Sequence, residues 1–310
     1  RYPEAERKSL GNLENMRIRT KENIEVPFDS VAKVEYGTGY SASYREDQKR
    51  IVEVKGDINR SVVSPEEVMA AVEGNLLHFK NHFERLQDGA KDMQLDIQFS
   101  ETKLHDLIKE VLSLNNNPFC SVYLQFTKGA APRDHYYPTR YDPTLFIMTS
   151  PINMPPRLNV VKAILLKDIR WQKCNVKSTS LYANTWAKTK AKKSGGEEAI
   201  FERNGILTEG ATSNLFLVHK NKVLTPKENE HILPGVTREL VLEIMRRKNI
   251  DHEETNISID SLWKADELLL TSTTKGIVAV KDINGKQIGD GETFNLGVEI
   301  FQTLKTLSFT

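Results

Sequence analysis

The chain has 310 residues, 39% of them apolar, enough to bury a sizeable core and to divide into two domains. Forty-three basic against forty-two acidic residues leave a formal charge of +1, which gives no electrostatic case for nucleic acid or a membrane surface. Two cysteines are too few for a disulfide framework, and no run reaches the roughly twenty apolar residues of a membrane span, so a cytoplasmic setting is expected.

Residues 1–63 are polar and carry no clear periodicity. Ser64-Pro65-Glu66-Glu67 has the character of a helix start: a hydroxyl cap, proline at the first helical position and acids in the first turn. A helix is therefore predicted over 68–93, with Val72, Leu76, Leu77, Phe79, Phe83 and Leu86 at helical spacing. A second amphipathic helix spans 103–114, and 122–126 reads as a strand entering the loop 127–133. Three prolines within 149–156 predict a linker between a domain over 1–148 and one over 157–310.

Beyond the linker, 160–171 is a β-rich run leading to Lys177, and 181–193 is a helix stopped by Gly195-Gly196. The cluster Lys188, Lys190, Lys192 and Lys193 reads as the solvated face of that helix. Strands at 198–202 and 206–208 flank Asn204-Gly205, a strong hairpin signal, and 215–219 and 223–225 repeat the device. A helix over 238–249, a strand over 267–270, a hairpin at Asn284-Gly285 and a closing helix complete the chain. Strands dominate the middle and helices bracket them, without a regular βαβ period, so the fold class is α+β.

Four short segments carry the chemistry: Lys177 with its neighbours, Glu209 in Thr208-Glu209-Gly210-Ala211-Thr212-Ser213-Asn214, Gly235-Val236-Thr237-Arg238, and Thr271-Ser272-Thr273-Thr274. A lysine can form a Schiff base with an aldehyde, a carboxylate can hold a pyridine nitrogen protonated, and small-residue turns at a helix start can surround a phosphate. That is the kit for pyridoxal 5′-phosphate. Taken singly, each piece has a plainer reading: a surface lysine, a turn carboxylate, a capped turn and an ordinary helix start.

From Gly74 onward the chain resembles the fold-type IV pyridoxal-phosphate enzymes (the class IV aminotransferases), most closely the D-amino-acid aminotransferases. The blocks 122–135 (from Val122-Tyr123-Leu124-Gln125 to Arg133-Asp134-His135), 166–178 (from Leu166-Lys167-Asp168-Ile169-Arg170 to Lys177-Ser178) and 204–214 (from Asn204-Gly205 to Thr212-Ser213-Asn214) carry the likeness in the family's order. The resemblance implies a small N-terminal α/β domain and a larger, β-barrel-like domain with helices, in a homodimer. It implies that Lys177 is the Schiff-base lysine, that Glu209 pairs with the ring nitrogen, and that Arg85, Val236, Thr237, Ser272 and Thr273 hold the phosphate. Thr212 and Ser213 belong to the cofactor turn. The resemblance further implies that Arg133 and His135 trap the substrate carboxylate, reaching across from the partner subunit. Tyr182 either reaches the ring hydroxyl, as a tyrosine does in the branched-chain aminotransferases, or lies in the helix core.

The activity so implied is amine transfer from an amino acid, expected to be a D-amino acid, to a 2-oxo acid by a ping-pong route, without a metal. Branched-chain L-amino-acid transamination, a lyase reaction like that of aminodeoxychorismate lyase, and cofactor binding without turnover are the alternatives. Upstream, Tyr36-Gly37-Thr38-Gly39-Tyr40 resembles the family's glycine-rich strand and turn but lies too far from Arg85 for that register. The substrate-facing aromatic residue of that region therefore has no match in the sequence.

Overall fold

The computed structural model describes residues 64–308 except 116, 133, 137–140 and 154, together with four short upstream strands. Those strands form two antiparallel pairs, β1 (Arg17–Arg19) with β2 (Glu25–Pro27) and β3 (Tyr44–Glu46) with β4 (Lys49–Ile51), within a unit that ends at Asp57. Tyr36–Tyr40 lies outside the described residues. Everything below concerns the unit from Ile58 to Thr310.

Its first layer is a four-stranded antiparallel sheet in the order β6-β5-β7-β8: β5 (Glu66–Val72), β6 (Asn75–Leu76), β7 (Phe119–Thr127) and β8 (Thr144–Pro151). Strand β7 alternates strictly, so Val122, Leu124 and Phe126 enter the core while Ser121, Tyr123 and Gln125 take the other face. Helices α1 (Phe79–Asp92) and α2 (Glu101–Asn115) cover the core face with Phe83, Leu86, Leu104 and Ile108.

Here one expectation is corrected. Residues 66–72 are strand, and the helix begins only at Phe79. The local signal at Ser64-Pro65 is overridden by long-range pairing: β5 runs beside β7 along its whole length, and the Glu66 N–H donates to the Lys177 carbonyl at 3.0 Å. A helix from residue 66 would have left β7 without this partner. The turn at Glu73 and Gly74, with φ of 49° and 78°, reverses the chain into β6, and His78, also left-handed at 53°, precedes the helix.

The second layer is a nine-stranded sheet in the order β11-β10-β9-β16-β15-β12-β13-β14, with β17 paired to β16. Its strands are β9 (Asn159–Lys167), β10 (Glu198–Arg203), β11 (Ile206–Gly210), β12 (Asn214–His219), β13 (Lys222–Pro226), β14 (His252–Thr255), β15 (Glu267–Ser272), β16 (Gly276–Ile283) and β17 (Lys286–Gln287). Pairs β9–β10, β9–β16 and β13–β14 are parallel, and the others are antiparallel. The sheet curls around one apolar face, where Ile200 and Leu207 meet Leu215, Leu217, Leu268, Leu270 and Val280. Intervening residues Phe216, Leu269, Ile277 and Ala279 face outward against α4 (Val236–Arg247) and α6 (Asn295–Ser308). Burial on both faces explains why β12 and β15 read as continuous apolar runs rather than alternating ones. Helix α3 (Tyr182–Lys193) packs Ala187 and Ala191 on β9 and β10, and the short α5 (Ile259–Leu262) buries Leu262 in the apolar face of the sheet.

The predicted hairpins at Asn204-Gly205 and Asn284-Gly285 are present, with both residues of each turn at positive φ. The fold is α+β, with mixed strand directions in one curled sheet.

Candidate active site

A cavity of about 450 Å³, within the range of small-ligand sites, opens where the two layers meet. It is lined from β5 by Glu66 and Val68, from α1 by Arg85, and from the 168–181 segment by Arg170 and Lys177. Glu209, Thr212 and Ser213 line it from the turn between β11 and β12. Val236 and Thr237 do so from the start of α4, and Thr271, Ser272 and Thr273 from the end of β15.

Lys177 follows the long exit from β9, and that exit is stapled to β5 by Glu66 N–H to Lys177 carbonyl and by Thr179 N–H to Ser64 carbonyl, each 3.0 Å. Its Nζ stands 3.2 Å from Glu66 Oε1, and the side chain, which lines the cavity, is 20% exposed.

Glu209 is fully enclosed. Oε1 accepts from Arg170, and Oε2 accepts from the Leu233 N–H at 3.0 Å and from Asn214 Nδ2 at 3.1 Å. Burial pushes its carboxyl up to about 7 against the pull of Arg170 and the Leu233 N–H. A carboxylate so placed gains strongly from a further cation. Arg170 is itself fixed by Asp168, whose oxygens receive Nε and Nη2 at 3.0 and 2.9 Å, and it lies 4.7 Å over the Phe201 ring. Burial lowers the guanidinium pKa, but Glu209 and Asp168 outweigh it and hold Arg170 charged.

Arg85 reaches the cavity from α1 while anchored behind. Nε donates to Glu67 Oε2 at 3.0 Å, Nη2 bonds Glu67 Oε1, and Nη1 donates to the Pro234 carbonyl at 3.0 Å. His82 Nδ1 adds a contact to Glu67 at 3.1 Å. Burial would raise the Glu67 carboxyl, but the Arg85 charge and the His82 contact overcome it and hold the group at about 2, against an ordinary 4.5. Because the folded-state value is depressed, this cluster contributes stability that is complete above pH 4.5 and lost as pH falls toward 2. The contribution is on the order of 3 kcal/mol. Denaturant melts across that window should show the loss, and Glu67→Gln should flatten it; an unchanged acid limb in the variant would remove Glu67 as its source.

Thr212 Oγ1 and Ser213 Oγ both turn to Glu198 Oε2, at 2.6 and 3.4 Å, where Lys188 Nζ also lies at 3.0 Å. Tyr182 stands away from the cavity, 82% exposed, in neither of the two positions the sequence reading offered. His135 is exposed on the loop after β7 and does not line the cavity, and Arg133 lies outside the described residues. Residues missed by sequence reasoning are Glu66, Glu67, Asp168 and Arg170. The pair Asp168-x-Arg170 was visible beside a lysine, but its target on Glu209 was not.

A lysine, a buried carboxylate and a helix start converge on one cavity. Residues 66–283 match the family model described as amino-transferase class IV. The chain belongs to that family and is a pyridoxal 5′-phosphate-dependent aminotransferase. It is 36% identical over 227 residues to a D-alanine aminotransferase of Bacillus licheniformis, an alignment covering 73% of this chain and 80% of that one. Its fold is shared with a branched-chain amino acid aminotransferase of Escherichia coli, at TM-score 0.75 and 21% identity over 84% of this chain and 92% of the other. A protein described as a 4-amino-4-deoxychorismate lyase of Legionella pneumophila gives TM-score 0.71 and 19% identity, over 78% and 90%.

The cavity fits that cofactor. Thr271 Oγ1, at the cavity wall, is buried without a hydrogen-bond partner among the described residues. At Gly210 an added Cβ would stand 2.2 Å from Ser213 Oγ, and at Gly235 one would stand 2.0 Å from Asn214 Oδ1. The second turn therefore depends on glycine to keep Asn214 on Glu209, while at the first the Ser213 hydroxyl would have to turn away. Among the described residues no group of three or more His, Cys, Asp or Glu could hold a metal, and no helix is long and apolar enough to cross a membrane.

Proposed function

We propose that the protein transfers the amino group of a D-amino acid to a 2-oxo acid in a ping-pong cycle, as a homodimer. The observation that carries this reading is the 36% identity to a D-alanine aminotransferase, in a chain whose family match contains every one of the candidate site residues. The fold alone does not choose, since the same architecture houses a branched-chain transaminase and a lyase.

When bound, the cofactor supplies an aldehyde carbon for the amine and a ring that accepts the electrons of the broken Cα–H bond. Lys177 Nζ would hold that carbon and, when free, would take the proton from the donor's Cα. Glu209, steadied by Arg170 and Asn214, would keep the ring nitrogen protonated. Arg85, the Val236 and Thr237 N–H groups, and the Ser272 and Thr273 hydroxyls bind the phosphate, aided by the positive end of α4. Thr212 and Ser213, tied to Glu198, shape the turn that presents Glu209. The partner subunit's Arg133 and His135 hold the substrate carboxylate, a task suited to the planar guanidinium fork. The expected result is amine transfer from D-alanine or D-glutamate to 2-oxoglutarate or pyruvate. Turnover confined to L-leucine and L-isoleucine would overturn the D-specific reading, and pyruvate release from aminodeoxychorismate without an acceptor would replace transfer by lysis.

A further inference from the structure

One wall of the cavity carries a carboxylate beside Lys177. Glu66 opens β5 at 5% exposure, with Oε1 3.2 Å from Lys177 Nζ and Oε2 accepting from the Tyr123 hydroxyl at 3.1 Å. Val68, two residues on, lines the same cavity, as the period of a strand requires. We propose that Glu66 is a specificity-determining residue that favours amino donors with a second cationic group on the side chain, diamino acids, over neutral donors of equal length. The inference rests on Lys177 Nζ being bonded to the cofactor.

An almost fully enclosed carboxylate is costly unless matched by a cation and by hydrogen bonds. With Nζ free, Lys177 offers it three N–H groups; bonded to a carbonyl carbon, the same nitrogen has at most one. The other cations at the cavity have acids of their own: Arg85 has Glu67, Arg170 has Asp168 and Glu209, and Lys188 has Glu198. Tyr123 remains a donor, since burial and the Glu66 charge both keep its phenol protonated. Yet its single proton is contested by Gln125 Oε1 at 2.8 Å. Glu66 is thereby left short of positive charge beside the point where the donor exchanges with Lys177. An ammonium or guanidinium on the substrate meets that need, and an alkyl chain does not.

The test uses the cofactor-loaded protein, with its visible band as the control for attachment at Lys177. Ornithine and norvaline, identical in chain length, are compared as donors in both configurations. The unreactive acids 4-guanidinobutanoate and 4-methylpentanoate are compared by calorimetry. Wild type should prefer ornithine and 4-guanidinobutanoate by about tenfold or more, the donor preference residing in KM rather than kcat. Glu66→Gln should remove both preferences, and Glu66→Asp, which keeps the charge, should restore part of them. Equal ratios in wild type and Glu66→Gln, or a wild type that prefers norvaline, would overturn the inference. A wild type lacking the band would overturn the Lys177 assignment, and this inference with it.

Discussion

Replacing Lys177 by Ala is expected to abolish the visible absorbance of the bound cofactor and to lower transamination by about four orders of magnitude. The size follows from the surroundings. Of the other cationic side chains at the cavity, Arg85 and Arg170 carry guanidinium groups, which do not deprotonate to an attacking amine, and Lys188 is drawn 3.0 Å from Glu198 Oε2. Borohydride reduction followed by peptide mapping checks the assignment directly, placing the adduct on the peptide with Lys177 in wild type and on none in the variant. Retention of the band by Lys177→Ala would reject it.

Glu209→Gln should keep the cofactor attached yet reduce kcat by about 10²- to 10³-fold, the loss typical of removing one preorganised electrostatic contact. Gln can still accept from Arg170 and from the Leu233 N–H, so the cluster around Asp168 and Arg170 should survive and circular dichroism should match wild type. What disappears is a buried carboxyl whose pKa burial pushes up to about 7 and whose negative charge a ring cation would favour. A loaded variant with kcat within about twofold of wild type would show that the ring nitrogen finds its partner elsewhere. The two variants thus separate attachment from electron acceptance: one loses the band, the other keeps the band and loses the rate.

Turns and short motifs were legible because their physics is local. Asn204-Gly205 and Asn284-Gly285 demand positive φ, and the residues adopt it. Gly235 before Val236 marked a helix start and stands as the cap of α4. Lys177, Glu209 and the Ser272-Thr273 turn could be selected as a set, because each residue type has one role toward the same cofactor, and one cavity holds them all. Local evidence misled at Ser64-Pro65-Glu66-Glu67, where every cap rule for a helix was met. Pairing with β7 and docking against the Lys177 segment made it a strand instead. That change exchanged a solvated first turn for two buried acids facing opposite sides, Glu67 toward α1 and Glu66 toward Lys177. Tyr182 illustrates the converse. Its distance from Lys177 along the chain suggested an active-site role, but the first turn of α3 turns it outward.

By itself the sequence determined the family, the cofactor chemistry and the positions of most hairpins and helices, since these depend on residue identity and on spacing within a few neighbours. Tertiary structure alone decided which acids became partners: Glu209 with Arg170, Glu67 with Arg85, and Glu66 with Lys177. Those pairs join residues 18 to 111 positions apart, brought together by strand pairing and layer packing, and nothing in a local pattern encodes such a distance.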